Sequence, residues 1–179
     1  MKRVLALGLT IAAGGAVADP VTYAFEWAGG GGYAIKGALQ FDDAAYTGRF
    51  VREQDLSCFV IEGSKDGEDV GRWALTMLNE QTSWRMHFDP VLGRFLVEGE
   101  GVWMPQAWNM NGEGIDCGEG GFGFNIGNAA QDICVDNQLI FESQVTPEEP
   151  FLAARMDEFE FPRDACIAPP LLGWLHTEN

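Results

Sequence analysis

Thr22-Tyr23-Ala24-Phe25-Glu26-Trp27 and Tyr33-Ala34-Ile35-Lys36-Gly37-Ala38-Leu39-Gln40-Phe41 decide the fold. In the first segment Tyr23, Phe25 and Trp27 fall on one face of an extended chain. In the second, Tyr33, Ile35, Gly37, Leu39 and Phe41 do the same. A period of two over such lengths marks a half-buried strand, because successive side chains leave a strand on opposite sides. Gly29 to Gly32 join the two runs, so the pair reads as a β-hairpin with a glycine-rich turn. A phosphate-binding loop would need a following Lys-Ser/Thr and the start of a helix, and neither stands here.

Working outward, short β-rich runs recur at turn-bounded intervals. They fall at residues 56–62, 72–78, 83–88, 94–100, 122–124, 133–135 and 138–143. Ser64-Lys65-Asp66-Gly67 and Asp89-Pro90-Val91-Leu92-Gly93 supply turns between them. Thr146-Pro147-Glu148-Glu149 has the form of a capping box with proline at the first helical position, which predicts a short helix over 147–154. Residues 155–161 read as a last strand. Strands at this spacing with so little helix predict an all-β chain, a single antiparallel β-sandwich or jelly-roll-like domain.

The first eighteen residues stand apart. Lys2 and Arg3 precede an apolar run that ends in Ala16-Val17-Ala18, the pattern of a secretory signal peptide with a small-residue cleavage site. The run is too short to span a membrane. The expected organisation is a signal peptide at 1–18, a β-sandwich domain at 19–161, and a tail at 162–179 tied back by Cys166. The expected place of work is outside the cytoplasm, in the periplasm or beyond the cell. Without Lys2 and Arg3, nine basic residues face 27 acidic ones, a net charge of −18. Such a surface repels phosphate backbones and anionic lipids, so neither nucleic acid nor membrane insertion of the mature chain is expected.

Four cysteines remain, an even number that in an exported chain reads as disulfides. Of the three possible pairings, Cys117–Cys134 with Cys58–Cys166 is favoured, because the first closes a short loop. The absence of any Cys-x-x-Cys spacing argues against zinc.

The segments YAFEWAGGGGYAIKGALQFDD (23–43), GEDVGRWAL (67–75), HFDPVLGRF (87–95) and QAWN (106–109) resemble a group of uncharacterised exported bacterial β-domain proteins. Many of these end in a PEP-CTERM sorting tail. The resemblance spans residues 20–145 and implies export and a β fold, with no activity attached. Here Pro147-Glu148-Glu149-Pro150 is not followed by an apolar span and a basic end, so surface sorting is not expected.

Nucleophilic catalysis is disfavoured. His87 and His176 are the only histidines, and none of Ser57, Ser64, Ser83 and Ser143 stands in Gly-x-Ser-x-Gly. Glu98 and Glu100, two apart on an expected strand, would face one side about 7 Å apart.

From Gly101 to Ala154 there is neither lysine nor arginine. The favoured Cys117–Cys134 bridge would draw Asp116 and Glu119 toward Asp132 and Asp136, an oxygen-rich loop set of the kind Ca²⁺ accepts. No cofactor is required, and Ca²⁺ is the expected ion if one binds.

Trp103 and Trp108, with Gln106 and Asn109, offer flat rings beside planar amides, a combination suited to a glycan or another component of the extracellular surface. The leading expectation is therefore a secreted, non-catalytic binding or structural module. The alternative is a carbohydrate-active hydrolase working through Glu98 and Glu100.

Overall fold

The computed structural model describes residues 20–43, 46 and 48–167. The signal-peptide expectation at 1–18 and the end of the tail, 168–179, lie outside them. The chain forms two antiparallel sheets packed face to face. The larger has eight strands, in spatial order β3 (Val51–Arg52), β7 (His87–Asp89), β8 (Arg94–Phe95), β13 (Phe151–Met156), β1 (Pro20–Ala28), β2 (Tyr33–Asp42), β4 (Leu56–Lys65) and β5 (Glu68–Ala74). The smaller runs β12 (Gln138–Leu139), β11 (Gln131–Val135), β10 (Phe122–Ile126), β9 (Gln106–Met110) and β6 (Ser83–Arg85). This is the all-β sandwich expected from the alternation. Among the described residues there is no α-helix, only four single 3-10 turns.

The opening hairpin forms as read. Phe25 stands opposite Gly37 and Trp27 opposite Ile35, and all the inward residues of β1 are buried. Their rings meet Phe59, Phe95, Trp108, Phe124 and Phe151 in one aromatic core between the sheets. Trp108, fully buried, lies within 6 Å of five phenylalanine rings. Aromatic side chains bury the most area per residue, and their edge-to-face geometry fixes how the two sheets sit.

Close sheet approach also relies on glycine. Gly63 and Gly71 stand opposite each other on β4 and β5. A Cβ built on either would strike the ring of Phe122, which reaches across from β10.

The strands expected over 72–78 and 138–143 end at Ala74 and Leu139 and pass into 3-10 turns at Leu75–Met77 and Phe141–Ser143, and four further segments differ from the sequence reading. The expected helix over 147–154 is a single turn, closed by the Glu149 N–H on the Thr146 carbonyl at 3.2 Å. The Gln131 side chain takes the carbonyls of Pro147 and Glu149, and Phe151 enters the core as the first residue of β13. The last strand is accordingly Phe151–Met156 rather than 155–161. The strand expected over 94–100 ends at Phe95, because Gly99 and Gly101 both adopt φ of +87°, a backbone that turns the chain. The run 83–88 splits between the two sheets as β6 and β7.

Both favoured disulfides are present, Cys58–Cys166 and Cys117–Cys134. Two such bonds fit an oxidising, exported compartment. No helix among the described residues is long and apolar enough to cross a membrane.

Candidate functional site

On the outer face of the large sheet the pairing registers set residues in rows. Ala154, Ala24, Ala38, Val60 and Ala74 form one row across β13, β1, β2, β4 and β5. Glu26, Lys36, Glu62 and Arg72 form the next. A row of small side chains leaves the sheet surface low, and another part of the chain comes down on it.

After β13 the chain crosses this face as a strap, residues 157–167. Ala165 is fully buried against Ala38, Val60 and Ala74, with Phe161 packed beside it. Asp164 takes two N–H groups of Arg72, at 2.6 and 2.7 Å, and its carbonyl accepts the Thr76 hydroxyl. The fork holds Arg72 firmly protonated, chiefly through its hydrogen bonds to Asp164. By the same bonds, the Asp164 carboxyl is held below its ordinary range. The Ile167 N–H bonds the Ser57 carbonyl, and Cys166 is joined to Cys58.

The strap does not fill the face it crosses. A groove of about 770 Å³ remains, with Ala24, Val60, Leu152 and Ala154 as floor and Phe159 and Pro162 as wall. Glu26, Lys36, Glu62 and Glu160 are the charged groups that line it. Leu152 is 62% exposed and Phe159 40%, so an apolar surface faces solvent here. Volume, apolar lining and a few polar groups at the rim are the usual features of a small-molecule site. The sequence carried only a faint trace of it. Alanines at alternate outward positions, where polar residues are the rule for a solvated sheet face, are the one available sign.

The residues singled out from sequence lie elsewhere. Trp103 is 61% exposed, but Trp108 and Gln106 are fully buried and Asn109 is buried, so the four do not form one platform. Gln106 donates to the carbonyls of His87 and Leu96, at 2.8 and 3.0 Å, and accepts from Trp108 Nε1 at 3.2 Å. Asn109 donates to the Phe122 carbonyl and accepts the Thr82 hydroxyl. These amides satisfy backbone and ring groups inside the sandwich.

Glu98 lies in a turn, and Glu100 reaches back to the Val97 N–H at 2.9 Å and to Arg94 at 2.6 Å. His87 is buried, with Nδ1 at 2.8 Å from the Pro105 carbonyl. Its pKa is lowered, mainly by loss of solvent.

Three of the four carboxylates expected for calcium have separate hydrogen-bond partners. Asp116 accepts from Asn111 Nδ2 at 2.7 Å. Asp136, in a turn with φ of +47°, accepts the Gly120 N–H. Glu119 is exposed. Asp132 is buried between the side-chain amides of Asn125 and Gln144. Among the described residues, no three of His, Cys, Asp and Glu are grouped so as to hold a metal ion.

No family model matches the chain, and neither does any curated protein or any solved structure.

Proposed function

We propose that this chain is an exported, non-catalytic binding module, working in the periplasm or outside the cell, whose ligand seats its apolar part in the groove beside the strap. The observation that carries the reading is the groove itself. Ala24, Leu152 and Ala154 keep apolar surface open to water on a face whose neighbouring part, where Ala165 covers Val60, is closed. Leaving such a surface exposed costs about 25 cal/mol per Å² relative to covering it, and a ligand recovers that cost. The wall is held by a disulfide and a two-point Arg72–Asp164 bond, so little ordering is left to be done on binding, which favours affinity.

The test is titration of the oxidised protein with the neutral apolar fluorophore N-phenyl-1-naphthylamine. Saturable one-to-one binding is expected, and Ala154→Trp, which fills the floor from an exposed strand position, should abolish it with the far-ultraviolet circular dichroism unchanged. Absence of binding, or binding that Ala154→Trp leaves intact, would refute the reading.

A further inference from the structure

We infer that the groove is selective for an organic cation, an amphiphile with an aliphatic chain and a single ammonium head; this rests on the groove's being the ligand site. The charged residues that line it are three carboxylates, Glu26, Glu62 and Glu160, against one ammonium, Lys36. Lys36 is already matched by Glu26 at 3.4 Å. Arg72, next to Glu62 in the cross-strand row, gives its two terminal nitrogens to Asp164 instead and leaves only its Nε facing Glu62, at 3.8 Å. Glu160 looks onto the groove from the strap and has no hydrogen bond or ion pair among the described residues. Two carboxylates in the lining of an apolar trough are therefore left wholly or largely unneutralised.

Phe159, beside Glu160, leaves part of its ring open to solvent, and an aromatic face attracts a cation in its own right. The hydrocarbon of the ligand lies over Ala24, Leu152 and Ala154, while its head sits against Glu160, the unpaired carboxylate of the lining. The net charge of the whole chain, −16, adds a long-range pull in the same direction. An anionic head of the same length would meet three carboxylates without a free cation in the groove.

Isothermal titration of the oxidised protein with n-octyltrimethylammonium, n-octanol and n-octyl sulfonate, each below its aggregation concentration, tests the inference. The order expected is cation, then neutral, then anion. Glu160→Gln should weaken the cation by about two- to fivefold, the scale of one exposed ion pair, and leave octanol unchanged. Raising the salt to 0.5 M, where screening shortens to a few ångströms, should narrow the gap between cation and octanol. Equal binding of all three, or tighter binding of the sulfonate, overturns the inference and leaves the groove as an apolar site. Failure of all three to bind overturns both.

Discussion

The Trp27 indole N–H bonds Gln131 Oε1 at 2.9 Å, across the interior of the sandwich from β1 to β11. Gln131 is fully buried, and its amide nitrogen holds the carbonyls of Pro147 and Glu149. One side chain thus joins the two sheets and fixes the turn that launches β13. Gln131→Ala leaves the buried indole N–H and the Glu149 carbonyl without a partner, each unmade bond costing about 1–3 kcal/mol, while the Pro147 carbonyl keeps the Glu98 N–H. We expect a loss of about 3 kcal/mol in urea unfolding, with Trp27→Phe less damaging because it orphans Gln131 Oε1 alone and keeps the bonds of the amide nitrogen to Pro147 and Glu149. Equal stability of Gln131→Ala and the parent would show that the amide carries no net weight.

Asp132 gives the chain an unusual pH dependence. Burial pushes its carboxyl up from an ordinary 3.8 to about 6, against the lowering effect of the hydrogen bonds from Gln144 and Asn125. A carboxyl that binds its proton more tightly when folded favours the folded state at low pH. That contribution is complete below about pH 4 and is lost as pH rises through 6, amounting to about 3 kcal/mol. His87 works in the opposite sense, since its lowered pKa favours the fold above 6.5 and penalises it in acid. The difference between the parent and Asp132→Asn cancels the histidine. Asp132→Asn should be the more stable of the two at pH 7.5 and should lose that advantage by pH 4, as read from chemical denaturation at both values. A pH-independent difference would place the ionisation elsewhere.

How far such features can be read from sequence depends on whether they are local. The hairpin from Tyr23 to Phe41 was legible because its inner face is buried and much of its outer face is polar, so the alternation survives in the letters. β9 and β10 are buried on both faces, each at all five positions, and there the alternation vanishes. Gln106 and Asn109 then look like surface amides waiting for a ligand, although their partners are His87, Leu96, Phe122 and Thr82 in distant segments. Thr146 to Glu149 reads as a helix start, but the carbonyls of Pro147 and Glu149 are taken by Gln131, a contact the local pattern does not contain. The groove is hidden for the same reason. Its floor is set by Ala24 and Val60, and its wall by Phe159, about a hundred residues later.

Phe122 and the two glycines beneath it make a sharp test of sheet-to-sheet fit. A methyl added at Gly71 would lie 2.6 Å from the ring, and one at Gly63 closer still, well inside contact distance. Overpacking of this kind costs about 1–3 kcal/mol, so Gly71→Ala should lower the midpoint of thermal unfolding by several degrees. Phe122→Leu alone should also destabilise, through the cavity it leaves. The double variant Gly71→Ala with Phe122→Leu should be more stable than the sum of the two losses predicts, since the smaller side chain makes room for the methyl. Simple additivity in that cycle would mean that ring and glycine do not press on each other.

The two disulfides should separate cleanly in their effects. Cys58–Cys166 closes 108 residues and latches the strap, whereas Cys117–Cys134 closes 17 and sits on the other sheet. On a chain-entropy basis, removing the first costs about 4–5 kcal/mol and the second about 3. The stability ranking alone does not test the role assigned to the strap, because both losses are large. Protease sensitivity does. In Cys58→Ser/Cys166→Ser the strap keeps Ala165 and the Arg72–Asp164 fork but loses its covalent hold, so early cleavage is expected within residues 157–165. N-phenyl-1-naphthylamine binding should weaken at least tenfold, at a temperature where circular dichroism still reports a folded sandwich. Cys117→Ser/Cys134→Ser, tested at equal folded fraction, should cut elsewhere, in residues 111–121, and bind the probe as the parent does. If both variants lose the probe equally, the groove depends on global stability rather than on the strap. If neither loses it, the strap is not its wall.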